Sequence, residues 1–493
     1  MSFEEYPVGV GPQYEGERVR KKQMHLEFGG GKVGKKFELC RVKPASEIED
    51  GKVVINGPDI PDMEPGTSNP IGMFLEIAGE SLETDLEAVI ERRFHDFINF
   101  IQGMLHLNQR YTVWMRLSKK SFGKGLKTFK TIGEILIKLF KAEFNIIEKA
   151  QLTFYTDAKA IEGPYEKAME IYKNRDSRMR GMKDEDVDEF YACTLCASFA
   201  PKHACAITPN RMSLCGAINW FDARAAAKID PKGPIFKIEK GEKLNDEAGE
   251  YEGINDMIKN ASLGEIDKVF LYSGLEFPHT SCGCFEAIAF YIPEVEGYGV
   301  VDRDFKGTAV NGMAFSTMAN STGGGNQVPG FNGISIEYMR SPRFFQYDGG
   351  WDRFVWLPQS VKERIGDYIS DSVKDKIATE NDARDIDALQ DFLDKADHPV
   401  KERWEEEEEE EEDEWEEEAP AQMQQMQMPQ MQMQGAPQMM PGGANTFMLP
   451  MVQIPAPAAS GGMGFKIILN NVKIHAESMT IKKVKPKKRK RKK

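Results

Sequence analysis

Apolar positions along the first four hundred residues follow two different rhythms. Leu86, Ile90, Phe94, Phe97, Ile98, Ile101 and Leu105 recur at three- and four-residue steps, which predicts one long amphipathic helix with that face in the core. Tyr111, Val113, Met115 and Leu117 alternate with Thr112, Trp114, Arg116 and Ser118, the period-two pattern of a strand over 111–118. A second helical pattern covers 131–144 and a strand-like run covers 150–155. Further strand-like segments fall at 266–272, 285–293 and 334–338, with Gly323-Gly324-Gly325 and Gly349-Gly350 as turns. Helices and strands mix throughout, so the expected fold class is α+β. The charged stretch from Arg175 to Glu189 marks a boundary near residue 185, giving two globular domains, 1–185 and 186–400.

After residue 400 the rhythm stops. Residues 405–418 hold 13 acids in 14 positions, and a Met/Gln/Pro-rich stretch over 421–463 carries 10 of the 25 methionines. Such composition buries no core and predicts a disordered linker over 401–463. FKIILNNVKIHA, residues 465–476, reads as a short β-hairpin turning at Asn470-Asn471 within a final segment, 464–493, that ends in 10 bases among 12 residues. The acidic run serves either as a solvated spacer or, with the hairpin, as a docking tail. The basic end resembles a nucleic-acid signal, yet it can equally pair with the acids across a linker spanning about 45 Å as a random coil.

These two runs distort the net charge of −14; without them the remaining 467 residues carry −11. That surface argues against general nucleic-acid binding. With 493 residues and 41% hydrophobic content, each domain has enough apolar material for a core. No stretch approaches eighteen consecutive apolar residues, and MSFEEYPVGVGPQYEG lacks a leader pattern, so the expected setting is a reducing cytoplasm with no membrane contact.

Seven cysteines are too few and too uneven for a disulfide framework, since six lie between 193 and 284. Cys193, Cys196, Cys205 and Cys215 form C-x2-C-x8-C-x9-C, and four thiolates within 23 residues can enclose either a tetrahedral zinc or a [4Fe-4S] cubane. Cys282-Gly283-Cys284 adds two thiolates one residue apart. With a metal between them, the tripeptide also presents the backbone nitrogens of Gly283 and Cys284, a planar set that suits nickel(II) or copper(II). Glycine at the centre avoids crowding a tight chelate. The competing readings of this tripeptide are a strained disulfide or two further thiolates of a zinc cluster.

YACTLCASFAPKHACAITPNRMSLCGAINWFDA, residues 191–223, together with HTSCGCFEAIAFYIPE, residues 279–294, resembles the acetyl-CoA synthase family. The likeness runs from YEGERVRKK near residue 14 to DGGWDRFVWLP at 348–358, in the archaeal arrangement of the β subunit of the acetyl-CoA decarbonylase/synthase complex, without a further domain ahead of it. The resemblance implies a Ni-Ni-[4Fe-4S] centre. Cys193, Cys196, Cys205 and Cys215 would hold the cubane. Cys196, Cys282 and Cys284 would hold a proximal nickel, and Cys282, Gly283 and Cys284 a distal one. It further implies acyltransfer that reversibly assembles acetyl-CoA from CO, CoA and a methyl group. The implied partners are a corrinoid iron-sulfur protein and carbon monoxide dehydrogenase subunits. Phe199 falls where the family places an aromatic beside the open nickel position, with plain core packing as the alternative. Trp114 and Arg116 would contact CoA through stacking and charge, or else line a domain interface.

His203 and His279 flank the cysteines; sulfur and backbone nitrogen already fill the metal positions, so both are expected to hydrogen-bond around the centre. Gly323-Gly324-Gly325 lacks the residues of a phosphate loop, and Cys40 reads as buried and inert. The rival functions are an electron-transfer [4Fe-4S] protein with a redox-active C-G-C pair and a structural zinc scaffold.

Overall fold

The computed structural model describes residues 2–404. Residues 405–463 of the linker, the hairpin and the basic end lie outside the described residues, whereas residues 401–404, expected to begin the disordered linker, are helical because Trp404 packs on the core and its Nε1 donates to Val295 O at 2.8 Å. In the first part of the chain the strands are β1 (Met24–Gly29), β2 (Lys36–Val42), β3 (Val53–Asn56), β4 (Ser68–Asn69), β5 (Ile71–Ala78), β6 (Met104–Leu107), β7 (Trp114–Ser118) and β8 (Lys149–Tyr155). The helices are α1 (Glu87–Arg92), α2 (Phe94–Asn99), α3 (Lys119–Lys124), α4 (Phe129–Glu143) and α5 (Glu162–Ser177). They build two mixed four-stranded sheets, β4-β1-β7-β6 and β2-β5-β8-β3. In the second sheet β2 runs parallel to β5 with Leu39 opposite Phe74, while β5 and β8 are antiparallel with Leu75 opposite Leu152. The apolar face of α4, with Ile132, Ile135, Leu136 and Phe140 buried, closes the core formed by Leu26, Phe28, Met73, Leu75 and Phe154.

The α+β mixture holds, and the predicted segments 131–144 and 150–155 correspond to α4 and β8. The single long helix does not form. Its apolar face is buried as expected, but the segment divides at Arg93, where ψ of −11° and a bond from Arg93 N to Ile90 O tighten the turn. The second helix ends before Gly103, whose φ of +79° turns the chain into β6. Leu105 thus packs from a strand, beside Val19 and Met24. The strand predicted from 111 starts at Trp114, because Arg110 adopts φ +50° and residues Arg110–Thr112 make a 3-10 turn. Val113, Met115 and Leu117 are fully buried all the same.

The second part holds a small antiparallel sheet, β10-β9-β11, made of β9 (Glu189–Cys193), β10 (Cys205–Ile207) and β11 (Ile235–Glu239). After α6 (Trp220–Ile229) and α7 (Glu252–Ala261) comes a four-stranded sheet. Its members, taken in order from one edge to the other, are Phe331–Ile334, Ala287–Ile292, Gly297–Asp302 and Phe354–Trp356. Of residues 266–272, Val269, Phe270, Leu271 and Tyr272 are buried but pair only through a bridge from Phe270 to Pro278, so apolarity there marks core and not a strand. Similarly the strand expected at 334–338 ends at Ile334, and Tyr338–Arg340 form a 3-10 turn. Among the described residues, no helix is long and apolar enough to cross a membrane.

Candidate metal centre

The small sheet sets two of the cysteines, the first and third of the cluster. Cys193 closes β9 and sits directly opposite Cys205 on β10. The chain then folds off the sheet edge in a tight turn, in which Phe199 N and Ala200 N both donate to the carbonyl of Cys196, at 3.0 and 2.9 Å. Cys215 lies on a turn closed by Gly216 N to Ser213 O, and Gly216 takes φ +69° where a Cβ would collide with the Glu286 carboxylate. Glu286 N donates to Leu214 O at 3.0 Å, which ties the turn of Cys215 to the C-G-C segment just ahead of strand Ala287–Ile292.

The Sγ atoms of Cys196, Cys282 and Cys284 lie within 4.8 Å of one another. Sulfurs from two distant stretches of sequence therefore converge on one point, a donor set that suits a soft or borderline metal. All seven cysteines are free thiols, so the strained-disulfide reading of Cys282 and Cys284 finds no support in the geometry. The two cysteines of the tripeptide face the same side: Cys284 N–H points at Cys282 Sγ, 3.2 Å away. Gly283 has φ +132°, and a Cβ there would meet nothing within 4 Å. Backbone conformation, and not crowding by neighbouring protein atoms, is what calls for glycine.

Burial pushes the Cys193 thiol up to about 12 and raises Cys205 as well. Within the converging trio, hydrogen bonds from Cys196 and Cys282 hold Cys284 well below the ordinary thiol range, while both donors are driven up. Cys284, partly exposed, is thus the member of the trio whose thiolate form the other two favour. Two guanidinium groups flank the trio. Arg92, 1% exposed, directs Nη2 at Cys196 Sγ over 3.5 Å; Arg303 donates to Gly283 O and, at 2.5 Å, to Phe285 O.

His203 and His279 hydrogen-bond around the centre. His203 Nε2 is 3.1 Å from Cys205 Sγ and Nδ1 is 2.8 Å from Thr280 Oγ1. Burial lowers its pKa to about 4, so the ring is neutral and donates from one nitrogen while accepting at the other. His279 accepts from Ala206 N at 3.0 Å, which leaves Nδ1–H to donate to Thr280 O at 2.7 Å. Phe199 is half-buried on the Cys196 turn, with its ring 5.8 Å from His95 and the Arg18 guanidinium 5.6 Å over its face.

Trp114 and Arg116 belong to a different sheet. The Arg116 guanidinium stacks 4.5 Å over the Trp114 ring, as their shared strand face predicts. Its charge is already engaged, through Nε to Glu27 Oε2 at 2.8 Å and Nη1 to Val19 O at 3.2 Å. Cys40 is fully buried, and burial raises its thiol well above the ordinary range.

Sequence reasoning missed Arg92, Arg303 and the role of the triple glycine. Arg92 lies off the apolar face of its segment and Arg303 sits in a stretch with no pattern of its own, so neither gave a signal. The triple glycine backs the C-G-C segment: Gly324 N donates to Cys282 O at 3.0 Å and Gly325 N to Ser281 O at 2.9 Å.

Fold and donor set together define a mixed α/β protein with a largely buried group of cysteines able to hold a metal ion. Residues 6–161 match the family described as CO dehydrogenase/acetyl-CoA synthase complex beta subunit, and residues 172–404 match the C-terminal family of the ACS/CODH beta subunit. The acetyl-CoA decarbonylase/synthase complex subunit beta 2 of Methanosarcina thermophila is 54% identical over 98% of this chain and 100% of its own length. The corresponding subunit beta of Methanopyrus kandleri is 49% identical over 98% of both chains. The solved C-terminal domain of an acetyl-Coenzyme A synthase alpha subunit is 37% identical, covering 24% of this chain and 95% of its own, with a TM-score of 0.23. The chain belongs to the family of acetyl-CoA decarbonylase/synthase β subunits, a family of enzymes.

Proposed function

We propose that this chain is the acyltransferase that reversibly assembles acetyl-CoA from CO, CoA and a methyl group carried by a corrinoid iron-sulfur protein, in a cytoplasmic complex with carbon monoxide dehydrogenase subunits. The observation that carries the reading is the convergence of Cys196, Cys282 and Cys284 on one point, with an amide nitrogen of the tripeptide turned to the same side. Cys193, Cys196, Cys205 and Cys215 would hold a [4Fe-4S] cubane. Cys196, Cys282 and Cys284 would hold the proximal nickel, and Cys282, Gly283 and Cys284 the distal one. When bound, this group supplies a soft, redox-active site at which a methyl group and CO are joined and passed to a thiol.

The chain's own residues supply placement and shielding. The cysteines are largely buried, so bulk water has little access to the donor set. Phe199, on the Cys196 turn, limits what reaches the open side of the centre. Arg92 places a fixed positive charge beside Cys196 and offsets the negative charge that several thiolates concentrate there. In this reading residues 1–185 contact CoA, with the Trp114 ring stacking the base and Arg116 meeting phosphate, and residues 186–400 hold the metals.

Anaerobic metal analysis of the full-length chain, read beside acetyl-CoA synthesis from methyl donor, CO and CoA, tests this. The expected result is about two nickel and four iron per chain, the composition of a dinickel site on a cubane. Iron without nickel would make the chain an electron carrier, and zinc alone a scaffold.

A further inference from the structure

Metal binding through an amide nitrogen has an electrostatic cost that lies one bond away from the metal. The N–H bond breaks, its proton passes to solvent, and the nitrogen pair forms the bond to the metal. Resonance across the peptide then places much of the negative charge on the carbonyl oxygen. In Cys282-Gly283-Cys284 the two amides concerned have their carbonyls on Cys282 and Gly283. Each of these oxygens already receives a donor. Gly324 N donates to Cys282 O at 3.0 Å, and the Arg303 guanidinium donates to Gly283 O. Both peptides are thereby held with their oxygens turned to donors, while the Cys284 N–H lies over Cys282 Sγ on the metal side.

The surroundings fix this arrangement from outside the tripeptide. Arg303 is anchored by a second bond to Phe285 O at 2.5 Å and lies over the rings of Phe285 and Phe315, at 5.3 and 5.1 Å. The glycine loop follows helix Phe315–Thr322, and it takes φ +90° at Gly324 and +85° at Gly325, which glycine accepts without strain. A Cβ on Gly323 would stand 3.2 Å from Cys282 O and 3.4 Å from the Gly283 Cα, so a side chain there would press on the tripeptide.

We propose that Arg303 and the Gly323-Gly324-Gly325 loop are positioning elements that select the metal at C-G-C. By stabilising negative charge on the Gly283 and Cys282 oxygens they favour ions that take amide nitrogens in a plane, such as nickel(II), over ions content with tetrahedral thiolates, such as zinc(II). The inference rests on the proposed reading of the tripeptide as a nitrogen-and-sulfur metal site, and it assigns the choice of metal to residues that do not touch the metal.

The test is a competition between nickel(II) and zinc(II) for the full-length chain carrying its iron-sulfur cluster, read by bound metal and by the absorption of square-planar nickel. In R303M the preference for nickel over zinc should fall about tenfold or more, the scale of losing one charge-assisted hydrogen bond. R303K, which keeps the charge, should recover part of the preference, and R303Q should recover less. Because R303M also loses packing, R303K and R303Q decide the matter if that variant does not fold. An unchanged preference and spectrum in folded R303Q and R303M would overturn the role of Arg303 alone. Failure of the unaltered chain to bind nickel in a planar nitrogen-containing site would overturn the reading of C-G-C, and this inference with it.

Discussion

The cysteine centre and the Trp114–Arg116 pair show two ways of preparing a site. At the centre, the Sγ atoms of Cys196, Cys282 and Cys284 lie within 4.8 Å of one another, the first two buried and the third partly so, a donor set with the chemistry of a soft metal site. At the aromatic pair the charge is already balanced: Arg116 is ion-paired with Glu27, which also accepts from Ser68. The first arrangement commits the chain to one class of ligand. The second is stable with nothing bound, so any phosphate there must compete with a carboxylate, and its contribution is correspondingly small.

Substitution should therefore separate the two regions sharply. Cys284→Ala removes one of three converging donors, and it should abolish both nickel binding and acetyl-CoA synthesis; a variant that kept either would remove the distinction altogether. Arg92→Met deletes a buried guanidinium that faces Cys196 and, over 3.5 Å, Asp96, which keeps its closer pair with Arg93. It should cost about 1–3 kcal/mol in denaturant unfolding of the metal-free chain, the scale of a lost buried hydrogen bond to a charged group.

The difference between pH titrations of the metal-free chain and of its His398→Gln variant reports on the fold away from both regions. His398 is 1% exposed, accepts from Val400 N and donates to Phe354 O, and burial lowers its pKa to about 4. A depressed pKa means the neutral ring stabilises the fold above about pH 6.5, and that contribution is lost as pH falls toward 4. Burial also lowers the pKa of His95, His203 and His279, so unfolding experiments should show a larger total loss across this window, of which His398→Gln should remove a share on the order of 2–3 kcal/mol.

Gly283→Ala forces a residue with a side chain to φ +132°, and should cost about 1–3 kcal/mol while lowering nickel occupancy. The smallest effect belongs to the aromatic pair. Trp114→Ala should raise KM for acetyl-CoA about tenfold with little change in kcat, the consequence of losing stacking worth about 1.4 kcal/mol. A Glu27→Gln variant sharpens the contrast, because freeing Arg116 should lower that KM if the ion pair competes with phosphate.

The centre was more legible in the sequence than the fold around it. Cysteine spacing is a local signal, and C-x2-C with C-G-C stated the donor set before any element was placed. The residues that tune the donors were silent because their positions depend on distant contacts: Arg92 reaches Cys196 across 104 positions, and the triple glycine meets the tripeptide through backbone amides that no side-chain pattern reveals. Apolar periodicity found the buried faces of α4, β7 and β8, where one element carries the whole pattern. It failed where a single face continues through a change of element. From Leu86 to Leu105 the burial persists while the backbone passes from two short helices to a strand.

The central claim, that Cys282-Gly283-Cys284 binds nickel through amide nitrogens as well as sulfur, is tested most directly by nickel K-edge X-ray absorption on the anaerobically purified full-length chain. The predicted result is a planar nickel with both nitrogen and sulfur neighbours, lost in Cys284→Ala. Nickel surrounded by sulfur alone in a tetrahedral site, or a chain active in acetyl-CoA synthesis with no planar nickel, would contradict it.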